Sequence, residues 1–98
     1  MLVQLNPQLY KQVSYYNKAN LKLEEGTIIL KSYTTDIVEL DTTTNKLKWI
    51  CNKSALTYTT LKHIKDFLYQ YFNIKNLTKK DIIELMNADK IHDYRLLK

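Results

Sequence analysis

The sequence predicts a small α+β domain, with an antiparallel sheet of three to four strands followed by two to three helices packed on one face. Three observations carry this prediction. Alternating and β-branched runs dominate the first half, the apolar period changes from two to 3.6 at Thr59, and a second helical pattern starts at Thr78. Strands followed by helices are typical of the α+β class. The 98 residues are expected to form one domain, residues 1–98, strand-rich over 1–56 and helical over 57–98.

The first strands follow a segment with a weak pattern. Residues 9–16 alternate loosely and are expected to be extended, and residues 17–20 have the composition of a turn. Residues 24–26 favour a tight reversal, because Gly26 tolerates a positive φ. A strand is expected at 27–33, which is rich in β-branched and aromatic side chains.

A β-hairpin is expected next. Residues 36–40 have strand character after a break at 34–35, and the Asp, Thr and Asn side chains of 41–45 are typical of a turn. Residues 46–51 alternate in polarity, so they are expected to form the second strand of the hairpin. Its apolar face is expected to carry Leu47, Trp49 and Cys51, and its polar face Lys46 and Lys48.

The first helix begins where the periodicity changes, with Thr59 or Thr60 as the expected N-cap. Its apolar positions recur at helical spacing, which predicts an amphipathic helix. The apolar face is Leu61, Ile64, Phe67, Leu68, Tyr71 and Phe72, and the polar face is Lys62, Lys65, Asp66, Tyr69 and Gln70.

The second helix is expected to start at Thr78, whose hydroxyl can cap it, with Asp81 favourably placed in the first turn. It is expected to bury its apolar side chains and to stop near Asn87. Residues 90–98 are compatible with a short helix or a docked tail. The two helices suggest a helix-turn-helix, but the connector 73–77 lacks Gly and is longer than the usual turn of about 3–4 residues, which disfavours that reading.

Composition bounds the classes of function. The single cysteine points to a reducing compartment, and no signal peptide or membrane span is recognisable, so a cytoplasmic protein is expected. The formal net charge of +5 favours polyanions or acidic surfaces as partners. Fourteen of the fifteen cationic side chains are Lys, and Lys is the weaker choice for two-pronged contacts with bases, so base-specific readout is disfavoured.

Candidate catalytic chemistry is sparse. The histidines are His63 and His92, the one cysteine is Cys51, and a single glycine cannot build a phosphate-binding loop. His63 is expected to be half-buried and bonded to a backbone group, or to Thr59 or Thr60 near the helix start. We therefore expect no catalytic residue, no metal site, no cofactor and no enzymatic activity.

Two stretches carry a resemblance. Residues 32–35, which lead into a hairpin, and residues 59–68 resemble a family of small uncharacterised proteins of Gram-positive phages and plasmids. Members show a Ser-Tyr-x-Thr strand, a hairpin and a Thr-Thr-x-x-His-Ile-x-x-Phe-Leu helix. The match spans residues 27–72, and the long turn at 41–45 departs from the family's tighter Asn-Gly turn. The resemblance implies a mobile-element origin, which the abundance of Lys, Asn, Ile and Tyr, typical of an AT-rich genome, also favours.

These observations predict a protein that binds rather than catalyses. Proteins of this size and origin include inhibitors of host defence, so the leading hypothesis is an anti-CRISPR-like inhibitor of a host nucleic-acid-handling complex, with a host protein or ribonucleoprotein as partner. The alternative is direct nucleic-acid binding, because Tyr interleaved with Lys suits stacking and phosphate contact, although the same tyrosines also suit packing. No membrane partner is expected, and exposed sheet edges would allow a dimer. The candidate contact residues are Lys62, Lys65, Tyr69, Lys46, Lys48 and Tyr33.

Overall fold

The computed structural model describes residues 1–9, 18–88 and 91–93. The strands are β1 (Leu2–Gln4), β2 (Ala19–Glu24), β3 (Thr27–Ser32), β4 (Thr35–Asp41), β5 (Lys46–Trp49) and β6 (Ile91–Asp93). The helices are α1 (Tyr58–Phe72) and α2 (Lys79–Ala88), and a 3₁₀ turn, Lys53–Ala55, precedes α1. The strands form one antiparallel sheet in chain order, β1-β2-β3-β4-β5-β6. The α+β class is therefore confirmed, with a wider sheet than expected.

The additional width comes from the two short outer strands, β1 and β6. Each has three residues. β1 pairs with β2, where Leu2 lies opposite Lys22. β6 pairs with β5, where His92 lies opposite Leu47, although both helices separate these two strands in the chain. Three residues are too few to show a period-two pattern, so the sequence gives no signal for them. Residues 91–93 thus form a strand docked on β5, which agrees with the docked tail and not with the short helix. The expected extended segment, apart from Leu9, and the chain beyond residue 93 lie outside the described residues.

The hairpin turns use residues suited to their backbone angles. Gly26, at φ 77°, closes β2 and β3, which confirms the expected reversal. In the β4–β5 turn, Asp41 Oδ1 accepts the N–H of Thr43 at 2.9 Å and that of Thr44 at 3.3 Å, and Asn45 has φ 62°. The hairpin expected around residues 41–45 is therefore confirmed, with β5 ending at Trp49.

One face of the sheet is apolar and carries both helices. A row of directly opposed residues crosses the sheet from β1 to β5 on this face: Val3, Leu21, Leu30, Val38 and Trp49. The buried side chains of α1 and Ile82 of α2 belong to the same hydrophobic cluster as this row. On α1 the buried apolar residues are Leu61, Ile64, Phe67, Leu68 and Phe72. The helices therefore pack on one face, as the alternation predicts.

The N-cap of α1 is Thr57, so the expected cap at Thr59 or Thr60 is wrong. Thr57 Oγ1 accepts the N–H of Thr60 at 3.2 Å, which starts the helix at Tyr58. Thr60 cannot serve as the cap, because it lies inside the first turn with its side chain buried.

The start of α2 agrees with its sequence signal. Thr78 Oγ1 accepts the N–H of Asp81 at 3.2 Å, and Asp81 Oδ2 accepts the N–H of Thr78 at 2.9 Å. This reciprocal capping box satisfies two donors at the helix start. These hydrogen bonds hold the pKa of Asp81 below its usual value. The helix continues to Ala88, one residue past the expected stop at Asn87.

Candidate functional site

A line of tyrosine and lysine side chains runs along the outer surface of α1. Tyr58, Lys62, Lys65 and Tyr69 are spaced by four, three and four residues, which places them on one stripe of the helix. All four are exposed or half-buried, whereas the positions on both sides of the stripe include buried residues. We call these four residues the Tyr–Lys ridge. It contains the three α1 residues expected from the sequence, and it contains no acidic residue.

Two lysine–aromatic pairs involve the tyrosines of this ridge. Lys62 Nζ lies 4.5 Å from the ring centroid of Tyr58, and Lys75 Nζ lies 5.1 Å from that of Tyr69. Both distances are within the range of a cation–π contact. Tyr58 is 76% exposed, so most of its ring remains open to a ligand. The sequence interpretation missed Tyr58, because the cap was expected after it, and the signal that finds it is the four-residue spacing to Lys62.

A shallow cavity of about 190 Å³ adjoins the ridge at Lys65. It lies between the N-terminal segment, which contributes Leu9, and the α1–α2 linker, which contributes Ile74, Lys75, Asn76 and Leu77. The linker turns back at this point because Asn73 and Asn76 both adopt positive φ. Lys65 and Lys75 therefore face a common groove with apolar walls, next to Tyr69.

Lys46 and Lys48 lie elsewhere. They point to the outer face of the sheet, away from the helices, and in register they lie opposite Asp41 and Glu39 of β4. Opposite charges directly across a strand pair stabilise the sheet. The pKa of Asp41 is lowered, first by backbone hydrogen bonds of its turn and to a lesser extent by Lys46. The structure thus does not bring these two lysines together with the ridge.

Tyr33 forms the tip of the β3–β4 hairpin, beside α1. Its side chain is 48% exposed, and its ring centroid lies 6.1 Å from that of His63 at a tilt of 50°. The loop has two residues, 33 and 34, between the opposed pair Ser32 and Thr35. The sequence predicts a break at residues 34–35, and the structure has a hairpin loop at residues 33–34, one residue earlier.

His63 belongs to a buried hydrogen-bond cluster that ties this hairpin to α1. Its Nδ1 lies 2.8 Å from Ser32 Oγ, which in turn lies 2.9 Å from Thr60 Oγ1. The Nδ1 atom of His63 is thus paired with Ser32 of β3, and Thr60, one of the partners expected from the sequence, joins the cluster through Ser32. The pKa of His63 is lowered to about 4, chiefly by burial. The positive charge of Lys18 lowers the pKa further, whereas the negative charge of Asp66 raises it. His63 is therefore neutral at pH 7.

Ser32, His63 and Asp66 are the residue types of a nucleophile–base–acid triad. Their contacts differ from those within a catalytic triad. The carboxylate of Asp66 accepts the backbone N–H groups of Gln8 and Leu9 at 2.9 to 3.3 Å. It thereby pins the N-terminal segment to α1. His63 and Asp66 have no exposed surface, and Ser32 is 2% exposed, so Ser32 Oγ is closed to a substrate in this arrangement.

The described ranges hold neither a candidate metal site nor a candidate membrane span. Within residues 1–9, 18–88 and 91–93, no group of three or more His, Cys, Asp or Glu side chains is placed to hold a metal ion. In the same part of the chain, neither helix has the length and apolar character needed to cross a membrane.

Comparison with known proteins gives a family but no characterised relative. No curated protein and no solved structure matches the chain. The model of a family of unknown function, DUF8033, matches residues 3–84. This span runs from β1 into α2 and includes the hairpin of Tyr33, the buried cluster around His63 and the whole Tyr–Lys ridge. The chain therefore belongs to the DUF8033 family of unknown function.

Proposed function

We propose that this protein acts by binding, without catalysis, and that its main contact surface is the Tyr–Lys ridge of α1. The observation that carries the proposal is the arrangement of the ridge: the ammonium groups of Lys62 and Lys65 lie between the rings of Tyr58 and Tyr69 along one helix. Lys62 lies over the ring of Tyr58, and Lys75 of the linker lies over that of Tyr69. The buried Ser32–His63 pair supports the non-catalytic part of the proposal, because Ser32 Oγ is shielded from solvent.

The ligand that best fits this chemistry is single-stranded nucleic acid. Aromatic faces stack on bases of any sequence, while ammonium groups contact the phosphates between them. Lys without Arg suits phosphate contact rather than base-edge readout. Lys is also depleted at protein–protein interfaces, whereas it is common where phosphates bind. From Tyr58 to Tyr69 the ridge spans about 16 Å of helix axis, the reach of a short run of nucleotides.

A second proposal is an anti-defence role in which the protein inhibits a host nucleic-acid-handling complex. It rests on the resemblance to phage and plasmid proteins and on the small size of the chain. A phage or plasmid origin and a cytoplasmic location belong to the same proposal. A basic ridge has the wrong sign to fill a DNA-binding channel, which is itself basic, so the ridge would engage the nucleic acid or an acidic surface of the complex. For this reason direct nucleic-acid binding ranks first.

The test is fluorescence anisotropy with a labelled oligothymidine and a labelled duplex across a salt series. We expect binding to the single strand at low salt, with log K falling linearly as log salt rises. The double variant Lys62→Gln/Lys65→Gln should bind more weakly and lose about 1.4 units of that slope, about 0.7 for each phosphate contact. Lys46→Gln/Lys48→Gln is the matched control, since it removes the same charge from the outer face of the sheet.

Three outcomes separate the alternatives. No oligonucleotide binding at low salt would refute direct nucleic-acid recognition. Equal losses in the two double variants would show attraction by net charge alone and would remove the ridge from the proposal. Ridge-dependent capture of a purified ribonucleoprotein, without binding to free oligonucleotide, would favour the inhibitory role.

The tyrosines allow stacking to be measured apart from charge. Tyr58→Ala removes a ring that is 76% exposed, so the fold should tolerate it. We expect a loss of about 1–3 kcal/mol of binding free energy at every salt concentration, with an unchanged salt slope, because no phosphate contact is removed. An unchanged affinity would show that the ring does not take part in binding.

A further inference from the structure

Tyr33 has a backbone conformation that does not suit its side chain. Among the described residues, five have positive φ: Gly26 at 77°, Asn45 at 62°, Asn73 at 55°, Asn76 at 63° and Tyr33 at 56°. Glycine and asparagine adopt the left-handed region at little cost, whereas a bulky side chain is destabilised there by its Cβ. Tyr33 is thus the one described residue with positive φ that is neither glycine nor asparagine.

The surrounding structure imposes this conformation on residue 33. Two-residue hairpin loops of the favoured types need positive φ at their first position, which is occupied by Tyr33. The N–H of Tyr33 donates to the carbonyl oxygen of Lys18 at 2.7 Å, and Ser32 is held by its buried hydrogen bonds to Thr60 and His63. Glycine at position 33 would meet this constraint without strain, and asparagine tolerates a positive φ better than tyrosine does.

Within the described part of the chain, the ring of Tyr33 contributes little to the packing of the fold. It is not part of the buried core, it is 48% exposed, and its described ring contact is a tilted one at 6.1 Å from His63. Residues held in strained conformations by their surroundings concentrate at binding and functional sites. The presence of a strained aromatic side chain at this turn is therefore best explained by a contact outside the chain.

We propose that Tyr33 is a second contact point for the ligand, where its ring stacks on a base of single-stranded nucleic acid. The inference rests on the proposed function. Tyr33 lies beside His63, which is in the second turn of α1, five residues after Tyr58. Lys18 is exposed and joined to Tyr33 by the backbone hydrogen bond, so this tip repeats the tyrosine–lysine chemistry of the ridge.

The test is Tyr33→Asn, which removes the ring and places a residue suited to the left-handed region. In the anisotropy titration its affinity for oligothymidine should fall about fivefold or more, the loss expected for one stacked base. The salt slope should be unchanged, because no charge is removed. The urea midpoint should be no lower than that of the wild type, since the backbone strain is relieved. Tyr33→Phe should retain the affinity, and Thr34→Asn, in the same loop, should be neutral.

Two results would overturn the inference. The first is wild-type affinity of Tyr33→Asn in a titration where Lys62→Gln/Lys65→Gln loses binding; the ridge would then stand as the binding surface without Tyr33. The second is a lower urea midpoint of Tyr33→Asn together with a raised pKa of His63 by NMR, which would assign the ring to shielding His63. Loss of the proposed function itself would be distinct, because then the wild-type protein would not bind the oligonucleotide.

Discussion

Acidification from about pH 7 to about pH 5 should destabilise this protein through His63. Burial, assisted by the charge of Lys18, lowers the pKa of His63 from 6.5 to about 4 in the folded state. Between these two values the unfolded chain binds a proton that the folded protein excludes. Stability is therefore fully present above about pH 6.5 and falls as the pH decreases toward 4.

The magnitude follows from the two pKa values. Each unit of difference corresponds to about 1.4 kcal/mol, so the full loss, reached near pH 4, is about 3 kcal/mol. At about pH 5 the loss is about 2 kcal/mol. Asp41 and Asp81 do not interfere in this range. Their pKa values are lowered from 3.8, so the stability they contribute is lost only as the pH falls below that value.

The assay is urea unfolding followed by the fluorescence of Trp49, the one tryptophan in the chain. The variant His63→Asn cannot be protonated but still offers an amide group to Ser32. The wild type should lose about 2 kcal/mol more than this variant between pH 7 and pH 5. His92→Asn is the matched control for the other histidine. Equal pH dependence in wild type and His63→Asn, or an NMR pKa of His63 at 6.5 or above, would refute the reasoning.

Three further predictions concern the ends of the helices and the N-terminal segment. Thr57→Ala should lower the free energy of unfolding by about 1 kcal/mol and Thr59→Ala by less than about 0.5, which separates the observed cap from the expected one in urea unfolding. Asp66→Ala should cost about 1–3 kcal/mol and should abolish the hydrogen-exchange protection of the two N-terminal amides it holds; retained protection would contradict this. Thr78→Ala should cost about 1 kcal/mol, whereas the exposed Thr43→Ala should be neutral, and equal effects would contradict the capping role.

The parts of the fold that the sequence predicts are those with local causes. The turn at 41–45 is closed by Asp41, which accepts amides two and three residues further on, and α2 starts with a reciprocal bond between Thr78 and Asp81. Such contacts depend on neighbours within four residues, so they are visible in the sequence. The pairing of β6 with β5 joins residues about 45 positions apart, and no local pattern reports it.

The same distinction explains what the sequence predicts of the candidate site. The spacing of Lys62, Lys65 and Tyr69 places them on one face of a helix, and the structure agrees. Alternation also places Lys46 and Lys48 on one face of β5. It does not reveal that the register sets them opposite acidic residues of β4, because register depends on strand pairing.

The residues that carry the resemblance separate into two groups once the structure is known. Ser32, Thr60 and His63 form the buried cluster that joins the β3–β4 hairpin to α1, and Phe67 is fully buried in the core. A burial and hydrogen-bonding role accounts for these four, so their presence is no evidence for a reaction. Tyr33 is different, since it belongs to the same pattern but is half-exposed and strained. Structural needs explain the buried residues of the pattern and leave Tyr33 unexplained, so Tyr33 is the residue of this pattern that the proposed ligand contact accounts for.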